Sequence, residues 1–349
     1  MKRIGFLFER IADIDNIKLA IRNSSKGKRR YSYVKRVLKN PGKYAERLRE
    51  MLLTDNIRFG NNRHITIQDE SSGKERDITV PQYFPDQVLQ WAVMQQLQKV
   101  IMRGMYKYCC GSVPGRGGMA AKRAVDKILK NDTKVRYILK MDVRKFFPSV
   151  NHEKLIEMLE RKIKDRRVIN LLRQIIEHGE SGLPIGYYTS QWLSNFYLEP
   201  FDHFVTEELR ARHYIRYVDD IVIFETNKRK LRKIKERITD YLSELSLTVK
   251  DNWQIWKIDS RPLDFVGYLF RRRYTLARRK IFHRLMRTVR KVEREGLKIT
   301  SARRLCSLLG WFSHINFRQY YAKHIAPIIT KKAIRKYISR FDKKAAKAA

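Results

Sequence analysis

The chain is poor in cysteine, with only Cys109, Cys110 and Cys306 in 349 residues. Two neighbours and one distant thiol build neither a disulfide framework nor a zinc site, so no structural metal is implied and a reducing compartment is expected. Acidic residues are also scarce. Lys and Arg number 76 against 36 Asp and Glu, a formal charge of +40, and the excess runs from Lys26 to Lys347 without concentrating in one tail. Such a chain repels itself unless it meets a polyanion, which makes nucleic acid the leading partner and an anionic membrane surface the weaker one. Apolar runs of about 18 residues are missing, and the opening MKRIGFLFERIADIDNI has no apolar core of signal-peptide length. A cytoplasmic protein with no membrane attachment is expected. Internal repeats are absent, and the short KKAAKAA tail is the sole low-complexity stretch. What is present is 43% hydrophobic residues, enough to bury a substantial core and fill two or more subdomains.

Periodicity organises the chain. Residues 1–56 read as helices separated by a basic loop, SSKGKRRYS, a candidate for holding phosphate. RHITIQDE and ERDITV, joined by SSGK, form a hairpin pattern between Ile57 and Val80. From Pro81 to Val100 a helix is expected, its stripe of Val88, Trp91, Ala92, Met94 and Leu97 packing into a core. GSVPGRGG at 111–118 lacks the lysine and Ser/Thr ending of a P-loop and misses the dinucleotide spacing, leaving a loop with a weak suggestion of anion binding. YILKMDV at 137–143 alternates as a strand and stops at Phe146, Phe147 and Pro148, which puts Asp142 at a strand end. A helix capped by Asn151 follows, with Leu155, Leu159 and Ile163 on one face, and another begins near Thr189.

HYIRYVDDIVIFE at 213–225 then sets Asp219 and Asp220 side by side at the tight connection of a hairpin. Aspartate favours turns, so a solvated hairpin tip is the bland reading. The sharper reading adds Asp142. Aspartates from two strand ends would offer the hard oxygen ligands that Mg²⁺ takes alongside waters and substrate phosphates. Two such ions about 4 Å apart can serve an in-line displacement at a phosphoryl group. Beyond the hairpin, short β segments are expected around DFVGYLF, and the chain from Tyr274 reads as mostly helical and strongly basic.

The constellation resembles the reverse transcriptases. Its marks are a strand-end acid trailed by an aromatic at the fifth position, then a Gly/Pro loop and a helix, and some seventy residues later YVDD. The resemblance implies an α+β right-hand polymerase: fingers, a palm of antiparallel sheet plus helices, and a helical thumb. It implies an N-terminal extension and fingers over 1–136, a palm over 137–270 with 182–200 partly facing the fingers, and a basic helical thumb and tail over 271–349. Asp142 and Asp219 become the principal metal ligands and Asp220 the third acid, for two Mg²⁺ ions replaceable by Mn²⁺. Phe147 stands at the steric gate that rejects a 2′-hydroxyl, so deoxynucleotides are expected as substrates. ERDITV resembles the fingers segment whose cations hold the triphosphate, with Arg76 the better match and Lys74 the other; a cation there can neutralise charge as the phosphoryl bond breaks. TVKDNWQI makes Lys250 the proton donor to leaving pyrophosphate, and DFVGYLF resembles the primer grip around Gly267 and Tyr268.

GLPIGYYTSQWLSNFYLEP at 182–200 narrows the resemblance. Group II intron enzymes have Gln-Gly where this chain has Ile185-Gly186, and Ser-Pro where it has Ser190-Gln191. The pattern resembles the reverse transcriptases of diversity-generating retroelements, which copy a template-repeat RNA into cDNA while misincorporating opposite adenine. The N-terminal opening, GSVPGRGG and LCSLLGWFSHINFRQYY at 305–321 resemble that group too. This implies nucleotide contacts at Ile185, Gly186 and Gln191, a cDNA primer-template, an accessory variability protein, and a bacterial or phage gene. An apolar Ile185 removes hydrogen-bonding groups from the place where the base pair is checked, a change that can relax discrimination; simple core packing is the rival reading of that residue. A retron-type or group II intron enzyme is the nearest alternative, although little chain follows the thumb in which a maturase or endonuclease domain could lie. An abortive-infection polymerase and a non-catalytic basic binding module are the others. Template dependence tests the first of these, and loss of extension on Asp219→Ala the second. RRRYTLARRK and RLMRTVRKVER interleave apolar residues with cations, as in helices that pack on one side and track phosphates on the other.

Overall fold

A computed structural model of the chain describes residues 3–68, 75–179 and 181–347. It divides into two compact units, one of residues 1–120 with 139–255 and another of 121–138 with 256–349.

In the first unit the N-terminal segment is helical over Leu7–Ile11, Ile14–Ser24, Ser32–Lys39 and Pro41–Leu53. The Asp13 carboxylate accepts from the Asp15 and Asn16 amides, both at 3.0 Å, and so caps the second of these helices. Strands β1 (Arg63–Gln68) and β2 (Glu75–Val80) pair antiparallel, Ile67 facing Arg76, as the alternating pattern implies. The SSGK turn and Lys74 lie outside the described residues.

The helix expected from Pro81 starts later, at Val88, and runs to Met102. Phe84 has an extended backbone that breaks the preceding turn, as the residue before a proline tends to. Of its stripe, Val88, Ala92, Met94 and Leu97 are fully buried. Trp91 is only half-buried, its ring stacked on Tyr188 at 4.0 Å and 5°.

Strands β3 (Tyr137–Asp142), β4 (His213–Tyr217), β5 (Asp220–Glu225) and β6 (Gln254–Lys257) make a four-stranded sheet in the order β4-β5-β3-β6. β4 and β5 are antiparallel with Tyr217 opposite Asp220, so Val218 and Asp219 form a two-residue turn. Asn151 caps His152–Glu160, its side-chain Oδ1 accepting from the Lys154 amide at 3.0 Å, as expected. That helix ends before Ile163, which instead bridges to Ile4. Several helices were not anticipated, among them Gly118–Asn131, Arg166–Glu177 and Lys228–Glu244. Arg166–Glu177 buries Val168, Ile169, Leu171, Leu172, Ile175 and Ile176, and Lys228–Glu244 buries Leu231, Ile234, Ile238 and Leu242. Both carry the helical spacing plainly; the many cations between their apolar residues mask it in a scan for hydrophobicity alone.

The second unit contains β7 (Leu263–Phe265), β8 (Tyr268–Phe270) and β9 (Thr275–Ala277), consecutive and antiparallel. Helices Arg279–Glu295 and Ile299–Phe312 pack around Ile281, Leu285, Val289, Leu305 and Leu309. Among the described residues no helix is long and apolar enough to cross a membrane.

Candidate active site

Asp142 closes β3, with Lys140 two residues earlier on the same face of the strand. Backbone contacts clamp this strand end from both sides. The Val143 amide donates to the Asp219 carbonyl at 3.3 Å, while the Lys250 amide donates to the Asp142 carbonyl at 2.8 Å and the Arg144 amide to that of Thr248 at 2.7 Å. The segments carrying Asp142, Asp219 and Lys250 are therefore neighbours despite their separation in sequence.

The side chains follow. Lys250 Nζ lies 2.5 Å from Asp142 Oδ2. Burial, then the Asp142 carboxylate and a hydrogen bond between the two carboxyls, push Asp219 up to about 7, with a smaller push from Asp220. Asp142 and Asp219 thus form a close pair of like groups, and such a pair resists double ionisation without added positive charge. Asp220 Oδ2 lies 3.5 Å from Lys140 Nζ. Among the described residues no three His, Cys, Asp or Glu side chains converge as a ready-made metal cluster. The structure brings together two of the three acids expected.

These residues suit a divalent cation. Carboxylate oxygens are the donors that Mg²⁺ prefers, Asp142 Oδ1 is buried and accepts no hydrogen bond, and a cation would relieve the repulsion that raises Asp219.

The turn carrying Asp219 is strained and braced. Val218 has φ 59°, unusual for a β-branched residue. GSVPGRGG, read from sequence as a weak anion loop, supports it: a Cβ on Gly111 would lie 2.4 Å from Val218 Cγ2 and 2.6 Å from its amide nitrogen. Behind the turn Arg216 is completely buried. Its Nε and Nη2 donate to the Asp202 carboxylate at 2.7 and 2.6 Å, and its Nη1 donates to Asn195 Oδ1 at 3.1 Å and to the Val218 carbonyl at 2.9 Å. Tyr214 adds a 2.6 Å hydrogen bond to Asp202. Burying an ion costs several kcal/mol unless its partners are well placed, and this fork meets that condition. Sequence reading missed Arg216, Asp202, Asn195 and Gly111; an arginine inside the apolar run HYIRYV was the available signal.

The other expected contacts fall into three groups. Phe147 is half-buried, edge-on to Phe146 at 5.6 Å, and its carbonyl accepts from the Leu183 amide at 2.8 Å. Ile185 is half-buried and its carbonyl accepts from the Thr79 amide at 2.8 Å, which docks the 185–186 loop on β2, the strand bearing exposed Arg76. Gly186 has φ 125°, and a Cβ there would lie 2.2 Å from the Thr79 carbonyl oxygen. Gln191 is exposed on helix Tyr188–Tyr197, whereas Ser190 is buried. In the second unit Gly267, at φ 86°, turns β7 into β8 beneath the Trp311 ring, 2.4 Å from where its Cβ would be. Tyr268 is fully buried and donates to the Trp311 carbonyl at 3.1 Å, so its side chain is packing.

Residues 67–270 match the family model described as reverse transcriptase (RNA-dependent DNA polymerase). The chain belongs to the reverse transcriptase family. It is 28% identical over 146 residues to the retron Ec73 reverse transcriptase of Escherichia coli, covering 38% of this chain and 46% of that protein. With the group II intron-encoded protein LtrA of Lactococcus lactis subsp. cremoris it shares 26% over 159 residues, 42% of this chain and 25% of LtrA. YkfC of Escherichia coli is 26% identical over 223 residues, 60% and 53% of the two chains. The chain thus spans about half or less of the length of each of these relatives. Its fold is that of a right-hand polymerase. Apo telomerase from Candida tropicalis superposes with a TM-score of 0.50 at 15% identity, covering 72% of this chain and 57% of that one. The same telomerase with a TWJ fragment of telomeric RNA gives 0.50 at 14% identity, covering 85% and 56%.

Proposed function

We propose that this reverse transcriptase is an RNA-directed DNA polymerase of a diversity-generating retroelement, copying a template-repeat RNA into cDNA with misincorporation opposite adenine. The observation that carries the polymerase reading is the meeting of Asp142 with Asp219 at the YVDD turn within a family member. The narrower reading rests on Ile185-Gly186 and Ser190-Gln191 where intron enzymes differ.

Asp142 and Asp219 would hold divalent cations, Mg²⁺ by preference; Asp220, whose Oδ2 lies 3.5 Å from Lys140 Nζ, would have to leave that contact to serve as the third acid. When bound, two such ions would activate a primer 3′-hydroxyl and stabilise the departing pyrophosphate. The protein's own groups do the rest. Lys250, already beside Asp142, can donate a proton to the leaving group. Arg76, with Lys74, holds the triphosphate, and half-buried Phe147 narrows the space beside the sugar against a 2′-hydroxyl. Gly186 and Gln191 lie on the loop and helix that would face the nucleotide, and the Gly267-Tyr268 turn would hold the primer through its backbone.

Ile185 is linked through its carbonyl to the fingers strand. This supports a role in base-pair checking, because a change at that side chain sits next to the strand that carries Arg76. In this reading residues 1–136 are extension and fingers, 137–270 palm and 271–349 thumb, and an accessory variability protein is a further partner.

Primer extension on an RNA template with all four deoxynucleotides, followed by sequencing of the cDNA, tests the proposal. Extension abolished by Asp219→Ala, with errors concentrated opposite template adenine, is the expected result. Faithful copying with the same template dependence would instead place the chain with the retron and group II intron enzymes, a second reading favoured by the 28% identity to the retron Ec73 enzyme. If Ile185→Gln left an adenine-directed error spectrum unchanged, fidelity would be set elsewhere.

A further inference from the structure

We infer that Arg216 is a positioning residue for the metal-binding carboxylate: its buried guanidinium fixes the peptide between Val218 and Asp219 and so aims the Asp219 side chain. The inference rests on the proposed metal role of Asp219.

Three observations converge. First, Asp219 is held at both flanking peptides. Arg216 Nη1 donates to the Val218 carbonyl at 2.9 Å, and the Val143 amide donates to the Asp219 carbonyl at 3.3 Å. With the peptide planes on either side anchored, the Cα–Cβ direction of Asp219 is determined, since only two soft torsions lie between those planes. Second, Val218 sits at φ 59°, a conformation that persists only where its surroundings impose it. Arg216 imposes it from inside. Gly111, whose missing Cβ would lie 2.6 Å from the Val218 amide nitrogen, permits it from outside. Third, Arg216 cannot move to accommodate a displaced turn. Its other donors are committed to both Asp202 oxygens, to Asn195 Oδ1 and to Cys109 Sγ at 3.2 Å, and Asn195 Nδ2 in turn donates to the Gly111 carbonyl at 2.8 Å. One rigid network therefore sets both walls around the turn. A lysine could satisfy Asp202, but it has no planar fork to reach Val218 at the same time.

The test uses the full chain with an RNA template–DNA primer duplex and reads three quantities: Mn²⁺ affinity by electron paramagnetic resonance, single-turnover dNTP incorporation, and duplex affinity by fluorescence anisotropy. Asp219→Asn defines the Mn²⁺ site. Arg216→Lys is expected to weaken Mn²⁺ binding roughly tenfold, as loss of a group supporting a metal ligand commonly does, and to slow incorporation at least as much while duplex affinity stays within about twofold. Ile17→Ala, a buried helix residue elsewhere in the same unit, controls for lost stability and should leave Mn²⁺ affinity unchanged. Should Arg216→Lys fail to fold, Gly111→Ala displaces the same turn from its other wall and must give the same loss of Mn²⁺ affinity. Wild-type Mn²⁺ affinity in a folded Arg216→Lys protein, or in Gly111→Ala if that variant is the one examined, overturns the inference. Absence of extension by the wild-type chain would count against the proposed polymerase function instead, because the Mn²⁺ measurement does not depend on turnover.

Discussion

Lys250 is held against Asp142 twice, by an ammonium contact of 2.5 Å to Oδ2 and by a backbone hydrogen bond of 2.8 Å from its amide to the Asp142 carbonyl. The residue proposed to protonate pyrophosphate is thus the counter-ion of the carboxylate proposed to hold metal. A cation arriving at Asp142 would compete with the ammonium and free it to act as a proton donor.

Lys250→Ala should therefore separate two effects. Incorporation is expected to fall by about 10²-fold, the scale of one general acid. The Mg²⁺ concentration for half-maximal rate should stay the same or fall, since a competing ammonium has gone. Single-turnover rates over a Mg²⁺ series check this, and a raised Mg²⁺ requirement would contradict it.

The raised Asp219 pKa carries a stability signature. Asp219 releases its proton near 7 in the folded, metal-free protein and near 4 when unfolded. The folded state therefore holds the proton more tightly, and its advantage from this group is complete below the unfolded value and lost as pH rises through about 7. Melting temperature in EDTA should drop from pH 6 to pH 8, and Mg²⁺ should stabilise more at pH 8 than at pH 6. In Asp219→Asn both differences should shrink.

Gly186→Ala places a Cβ against the Thr79 carbonyl at a positive φ. Neither backbone can yield without breaking the hydrogen bond from Thr79 to Ile185. A loss of about 1–3 kcal/mol of stability is expected, together with a higher KM for dNTP, because β2 carries Arg76. Unchanged dNTP KM in a measurably destabilised variant would separate this loop from nucleotide binding.

Helix Arg279–Glu295 buries Ile281, Leu285, Val289 and Val292 and exposes Arg287, Arg290 and Lys291. If those cations track phosphates, replacing each by Gln should lower the salt slope of duplex binding by about 0.7–0.9. Binding isotherms at several salt concentrations read the slope directly; an unchanged slope in the triple variant would leave the three residues as ordinary solvated surface.

The helical and strand segments that place the site were largely legible as periodicity. Asp142 at the end of an alternating run, the Asn151 cap and the two-residue turn of YVDD all occur where the residue pattern put them. Misreadings had local physical causes. At Pro85 the extended Phe84 delayed a helix, and in 166–177 and 228–244 interspersed cations hid apolar stripes. Tyr268 shows a different limit, since a motif names a residue without saying whether its ring faces outward or, as here, into the packing.

By itself the sequence determined which groups are available: a basic chain of +40, a short set of acids, and motifs in the order found in reverse transcriptases. Tertiary structure alone decided how they are used. It joined Asp142 to Asp219, turned Asp220 toward Lys140, set Lys250 on Asp142, and put Arg216 behind the YVDD turn with Gly111 in front. The reason is that spacing along a chain carries almost no information about distance across strand pairings some seventy residues apart. Those distances are set by which backbone amides find which carbonyls, and by where a side chain is missing.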